Sequence, residues 1–187
     1  RNFEVLFAPS GTRSLDGVAV TRGALLLNEL DKVRNRLVEL RHVDGKWQRR
    51  AVAAPAFGAL GVSAVDPAGS DQYFLTVTDF LTPTTLYLGQ AGDDKRALLK
   101  SMPAFFDAAP YIVRQFETKS KDGARVPYFV VMRKDARLDG KNPTVLYGYG
   151  GFEVSLKPAY SAVAGEAWLA QGGVYVLANI RGGGEFG

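Results

Sequence analysis

Apolar and polar positions alternate in short runs through the first part of the chain. Phe3-Glu-Val-Leu-Phe-Ala8, Asp16-Gly-Val-Ala-Val-Thr21 and Ala24-Leu-Leu-Leu-Asn-Glu-Leu30 are each bounded by Gly, Pro, Ser or Asp, the pattern of short strands. Arg36-Leu-Val-Glu-Leu-Arg41 mixes polar and apolar positions in alternation and turns at Asp44-Gly45 into Lys46-Trp-Gln-Arg-Arg-Ala-Val52. Asp-Gly between two such runs predicts a tight hairpin. The pattern then repeats. Gly61-Val-Ser-Ala-Val65 echoes Gly17 to Val20, Gln72 to Val77 echoes Ala24 to Glu29, and Thr85 to Gly89 echoes Arg36 to Leu40. Lys95 to Lys100 takes the place of the Trp47 strand. Four short strands recurring at a spacing of about 44 to 49 residues are the period of a propeller blade. A single blade cannot cover its own faces, so residues 1–108 are predicted to form the arc of an all-β propeller, about two blades plus a trailing strand.

Beyond Met102-Pro103 and Pro110 the pattern changes. Tyr111 to Glu117 and Val126 to Met132 read as strands joined by a hairpin-like connection, Lys119-Ser-Lys-Asp-Gly123. Leu138 to Pro143 is a polar loop that leads into the strand Thr144 to Tyr147. A helical pattern follows from about Tyr160 to Gln171, with Ala162, Val163, Ala167, Trp168 and Leu169 on its apolar face and Gly172-Gly173 as its stop. Val174 to Ile180 is apolar almost throughout, as a strand covered on both faces should be. Strand, helix and strand at this spacing predict a βαβ unit in a mostly parallel sheet, so residues 109–187 read as the opening of an α/β domain.

Composition narrows the chemistry. Apolar residues make up 47% of the chain and charged residues 22%, which fits a globular protein rather than a disordered one. The net charge is +4, and the most basic stretch, Arg34 to Arg50, is broken by acids and apolar residues, as a solvated sheet surface would be; nucleic acid is not an expected partner. With no cysteine and one histidine, His42, neither a disulfide nor a thiolate or imidazole-rich metal site is expected. No run is long enough to cross a membrane as a helix, and no cofactor is called for. The absence of cysteine and of a leader pattern points to the cytoplasm, or to the periplasm if a leader has been removed. The chain opens on Arg1 and stops on Gly187 within a glycine cluster, ends expected of a piece of something longer.

Two glycine clusters follow predicted parallel strands, where open α/β sheets gather ligands: Gly148-Tyr-Gly-Gly151 and Gly182-Gly-Gly184. Gly182-x-Gly184-x-x-Gly187 matches a dinucleotide fingerprint, but that motif needs a helix beginning within the glycines and an acid about 20 residues on. The first cluster fits better as half of an oxyanion hole, with glycines that let backbone approach an acyl oxygen and a tyrosine hydroxyl as an alternative donor. Tyr147 and Tyr149 are open to a second reading, as strand-end aromatics packed under a loop.

Tyr147-Gly-Tyr-Gly-Gly-Phe152, Pro158-x-Tyr-Ser161 and Ala178-Asn-Ile-Arg-Gly-Gly-Gly-Glu-Phe-Gly187 together resemble the prolyl oligopeptidase family of serine peptidases. Ser120-Lys-Asp-Gly-x-x-Val-Pro127 resembles the strand-turn-strand that opens that family's peptidase domain, and Thr78-x-Phe-x-Thr-Pro83 resembles its last blade. The resemblance implies a propeller capping an α/β-hydrolase domain that cleaves short peptides, typically after proline. By match, Tyr149 would donate its hydroxyl to the oxyanion, Phe152 would border the substrate pocket, and Gly150, Gly151 and Arg181 would shape the site. Gly151-Phe152 separates the chain from the oligopeptidase B group, which usually carries Ala-Tyr there and cleaves after basic residues. Glu153-Val-Ser-Leu-Lys157 departs from the best-known prolyl enzymes.

The attacking group is missing. A hydrolase serine belongs in G-x-S-x-G on a strand-to-helix turn, and Gly61-Val-Ser63-Ala-Val65 lacks the second glycine and lies in a predicted propeller strand. His42 precedes the hydrolase half, against the order serine, acid, histidine. The expected partners are therefore a short peptide substrate and the remainder of the same protein. A non-catalytic propeller module that binds proteins is the alternative. Purified residues 1–187, without further sequence, are expected to show no turnover of a prolyl peptide substrate; cleavage at the rate of a serine peptidase would refute this.

Overall fold

The computed structural model describes residues 3–55 and 57–185. A first sheet runs β1 (Arg13–Val20), β2 (Leu25–Asp31), β3 (Arg34–Val43) and β4 (Lys46–Val52), neighbours in space as in sequence and antiparallel throughout. A second repeats it with β5 (Ala59–Ala64), β6 (Gln72–Thr78), β7 (Thr85–Gln90) and β8 (Arg96–Ser101). The alternation read from sequence places Leu26, Leu37 and Val52 of one sheet against Leu60, Tyr73, Leu75 and Val77 of the other. Burying side chains of this size is worth about 1.5–3 kcal/mol each, which holds the two sheets face to face. Phe3 to Ala8, expected as a strand, is not one: its Leu6 and Phe7 pack on Leu27, Val38 and Leu40, and apolar contact substitutes for a ladder.

The third sheet contains β9 (Tyr111–Lys119), β10 (Arg125–Arg133), β11 (Thr144–Gly148) and β12 (Val174–Ala178), in the spatial order β11-β12-β10-β9. Only β11 and β12 are parallel; β10 pairs antiparallel with both β9 and β12. The expectation of a mostly parallel sheet is therefore corrected to a mixed one. One antiparallel pair comes from the tight β9–β10 hairpin, closed by Ser120 N–H on the Ala124 carbonyl and Gly123 N–H on the Ser120 carbonyl, and the other from β12 lying antiparallel beside β10. The connection from β11 to β12 holds a short helix α1 (Ala162–Ala164), capped by the Ser161 hydroxyl, which widens into a π-type turn over Gly165–Leu169. This is shorter than the Tyr160–Gln171 helix expected. Tyr160 is held outside it, stacked on Phe106 at 5.2 Å, and the Phe106 ring occupies the space a side chain at Gly165 would need.

Aromatic packing joins the blades to the third sheet. Val33 and Phe80 from the blades are buried with Tyr111, Phe129, Val131, Leu169 and Leu177 in one cluster, and Phe80 lies 5.6 Å from Phe129 and 6.2 Å from Tyr175. Val33 sits at the tip of the β2–β3 turn, where Lys32 and Val33 take φ of +50° and +66°. A β-branched residue in this region is an outlier, and its complete burial supplies the compensation. The β3–β4 turn, Asp44-Gly45, has the same left-handed geometry at φ +49° and +76°, without strain at the glycine.

Two acids lie buried within the first sheet. Glu29 pairs with Arg13 and Arg49, and Glu39 pairs with Arg41 and Arg50, each at 2.7 Å, and accepts the Gly92 N–H at 2.8 Å. The basic stretch noted in the sequence is thus largely neutralised within its own sheet. Burial pushes the Glu39 pKa up, but hydrogen bonds from Arg50, Gly92 and Arg41 outweigh it and hold the carboxyl below its ordinary range. Stability from such a group is full above the unfolded pKa and is lost as pH falls through the folded value. Glu39→Gln is expected to cost about 2–3 kcal/mol at neutral pH, and to weaken the loss of stability below about pH 4. Urea denaturation from acid to neutral pH measures both.

Candidate functional site

β11 and β12 end in register, Gly148 opposite Ala178, so Tyr149 and Asn179 leave the sheet side by side. The loops that follow nest into each other. A Cβ at Gly150 would collide with the Arg181 carbonyl oxygen, and one at Gly182, whose φ is +91°, with the carbonyl oxygen of Gly150. A Cβ at Gly184 would meet the Glu153 carbonyl in the same way, and Glu153 N–H donates to Gly182 O at 3.2 Å. The glycines at 150, 182 and 184 therefore serve loop against loop. That accounts for the Gly182-x-Gly184 motif without a phosphate; its last position, Gly187, lies outside the described residues.

Tyr149 is 38% exposed at the start of the first loop. Its hydroxyl lies 2.9 Å from where a Cβ on Gly151 would stand, so the ring folds over that glycine. Phe152 is 93% exposed with φ of +55°, and Glu153 follows at +53°. Two consecutive non-glycine residues in the left-handed region cost about 1–3 kcal/mol each, a strain that clusters at ligand-handling loops. Val154 N–H donates to Gly151 O at 3.1 Å and closes the turn that presents the Phe152 ring to solvent. Tyr147, by contrast, lines an apolar cavity of about 550 Å³ together with Phe80, Trp168 and Leu177. Both tyrosines are exposed, Tyr147 at the rim of the apolar cavity and Tyr149 over Gly151.

Downstream, the loop is gripped through its backbone. The Leu156 N–H donates to Glu185 Oε1 at 2.9 Å, and its carbonyl accepts from Asn179 Nδ2 at 2.7 Å. Asn179 Nδ2 also donates to Glu185 Oε1 at 3.0 Å, and both side chains are buried. Two side chains of the second loop thereby imitate a strand partner for one residue of the first. Sequence reasoning passed over both residues. Their signal was polarity out of place, an amide ending an apolar strand and an acid within a glycine run. Arg181, singled out from the sequence, lies exposed, pairs with Asp122 of the β9–β10 turn and reaches Ser120 Oγ at 3.4 Å. Hydrogen bonds from Ser120, Arg181 and the Ala124 N–H hold the Asp122 carboxyl well below the usual carboxylate range.

The remaining candidates lie elsewhere. Ser63 lies within β5, opposite Phe74 in the ladder, and not on a strand-to-helix turn. His42 sits on β3, edge-on to Trp47 at 5.1 Å. Among the described residues no group of three or more His, Asp or Glu is arranged to hold a metal ion, and no helix is long and apolar enough to cross a membrane.

No protein-family model matches the chain. Individual relatives do. The chain is 44% identical over 183 residues, 98% of its length, to an uncharacterized peptidase, y4nA, of Sinorhizobium fredii, covering 25% of that protein. It is 35% identical over 157 residues, 83% of its length, to a prolyl endopeptidase of Elizabethkingia miricola, covering 22% of it. Among solved structures, a post-proline cleaving enzyme from Rickettsia typhi superposes with a TM-score of 0.83 at 33% identity, across 98% of this chain and 26% of that one. The chain spans about a quarter of the length of the curated relatives it matches. On these likenesses and on the shared fold, the chain belongs to the prolyl oligopeptidase family of peptidases.

Proposed function

We propose that this chain is part of a serine endopeptidase that cleaves short peptides after proline, and that it supplies one oxyanion donor and one wall of the substrate pocket. In this reading residues 1–108 are propeller blades that limit access to the site. Residues 109–187 open an α/β-hydrolase domain whose serine, acid and histidine lie outside them. The observation that carries the reading is the pairing of the Tyr149 phenol with the strained, exposed Phe152 on one braced loop, at the carboxyl end of a parallel strand pair. Ligands of open α/β sheets bind at that end.

The chemistry follows from the placement. When a nucleophile adds to the scissile carbonyl, negative charge gathers on its oxygen, and the Tyr149 O–H donates to it. A donor already fixed in place needs no reorganisation as the charge develops, which is why such donors are worth several kcal/mol. Gly151 leaves room for the phenol and Gly150 for the second loop, so both shape the site through the packing of the loop. The Phe152 ring offers a flat apolar face to a proline side chain, in keeping with the names of the prolyl endopeptidase relatives. Arg181 acts by fixing the second loop to the β9–β10 turn.

The remainder of the same protein is the partner this reading requires. β11 is a sheet edge with Val145, Leu146 and Tyr147 exposed, and the apolar cavity opens beside it. Such an edge needs covering. A cytoplasmic enzyme, or a periplasmic one after removal of a leader, is consistent with the lack of cysteine.

In the complete enzyme Tyr149→Phe is expected to lower kcat for a chromogenic prolyl peptide by about 10²–10³, with KM little changed. Unaltered turnover would refute the donor role. Phe152→Ala is expected to raise KM roughly 10-fold while leaving the thermal midpoint in place, because the ring is an exposed contact and not core. A fall in stability at constant KM would assign Phe152 to packing instead.

A further inference from the structure

Lys157, in the stretch that departs from the best-known prolyl enzymes, reaches across to the first sheet. Its Nζ lies 2.9 Å from both carboxylate oxygens of Asp16. Asp16 is the extra residue of a β-bulge: the β1–β2 ladder pairs Leu15 with Glu29 and Gly17 with Asn28, and skips it. A bulge re-aims the side chain it carries, and here it turns a carboxylate out of the blade toward the loop.

The carboxylate is held from behind. Asn28 Nδ2 and Asn35 Nδ2 donate to it at 3.0 and 2.9 Å, and the two amides are joined at 2.8 Å. Asn28 Nδ2 also donates to Leu60 O of the second sheet at 2.8 Å, so the anchor spans both blades. Asn28 and Asn35 are buried, and the Asp16 side chain is 14% exposed. On the other side Lys157 is flanked by Leu156, whose backbone the second loop grips, and by the fully buried Pro158. The same strand sends Ser14 Oγ to Glu185 O at 3.3 Å. β1 thus touches the trailing ends of both glycine loops.

We propose that Lys157 and Asp16 are a positioning pair: the bulged blade strand sets the downstream end of the Tyr149–Phe152 loop, and through it the placement of the Tyr149 hydroxyl. Left-handed φ at Phe152 and Glu153 persists only while both flanks of the loop are fixed. Gly148 in the sheet fixes one flank, and the Leu156 grip with the Lys157 tie fixes the other. Small misplacement of a donor costs turnover steeply. The inference rests on the donor role proposed for Tyr149.

The test is a mutant cycle in the complete enzyme. Lys157→Met and Asp16→Asn are each expected to lower kcat by roughly 5- to 20-fold, with KM within about twofold and near-native circular dichroism. The double variant should be no worse than the weaker single one, because both remove the same tie. In a Tyr149→Phe background, Lys157→Met should have no further effect on kcat. Lys157→Arg, which keeps the charge, should restore turnover. If the single variants shift only the thermal midpoint, or if the Lys157 and Tyr149 effects multiply, the pair is structural and the proposal fails. If Tyr149→Phe by itself leaves kcat intact, the donor reading has failed, and the proposal with it.

Discussion

Two carbonyl oxygens, those of Gly150 and Arg181, occupy space that side chains at Gly182 and Gly150 would need. Everything at the candidate site depends on that nesting. The parallel pair brings the loops out side by side, but only the missing Cβ atoms let their backbones touch. Once nested, the second loop can place Asn179 and Glu185 against both polar groups of Leu156, and the first can carry two left-handed residues without relaxing. The strain at Phe152 is affordable because the flanking backbone has no freedom to relieve it.

The boundary between blades and third sheet is a packed seam, not a linker. Phe80 and Val33 enter the core under β10 and β12, while Gln115 of β9 accepts from Arg34 at 2.5 Å and donates to Lys32 O at 2.8 Å. Thr78 Oγ1 accepts the Tyr160 N–H at 3.3 Å, and Tyr160 Oη accepts the Phe105 N–H at 2.8 Å. Blades and loop-bearing sheet therefore share polar contacts as well as apolar ones. Phe106 and Tyr111, on either side of the division expected near residue 108, pack in the same cluster.

Legibility followed the range of the forces involved. Gln72 to Val77 was legible as a strand, whose Tyr73, Leu75 and Val77 the structure turns inward, and the Asp44-Gly45 hairpin was readable because its turn chemistry is local. The β11 and β12 strands and the loops after them were readable for the same reason. Phe3 to Ala8 was misread because alternation cannot tell a ladder from an apolar strap. The helix was overextended because Phe106 and Tyr160, which shorten it, act from outside the helical window. At the site, Tyr149, Phe152 and Arg181 announced themselves through motif. Asn179, Glu185 and Lys157 did not, since each acts on a residue or strand far along the chain: Glu185 on Leu156, Lys157 on Asp16.

The β2–β3 turn bears on how the molecule assembles. Lys32-Val33 has none of the local preference for left-handed backbone that Asp44-Gly45 has, so the hairpin receives little help from its own turn. Its tip is rewarded only when Val33 meets Phe129 and Leu177, residues about a hundred or more positions later. The left-handed tip is thus compensated by burial in the aromatic seam, so the blade's turn and its neighbouring sheet support each other.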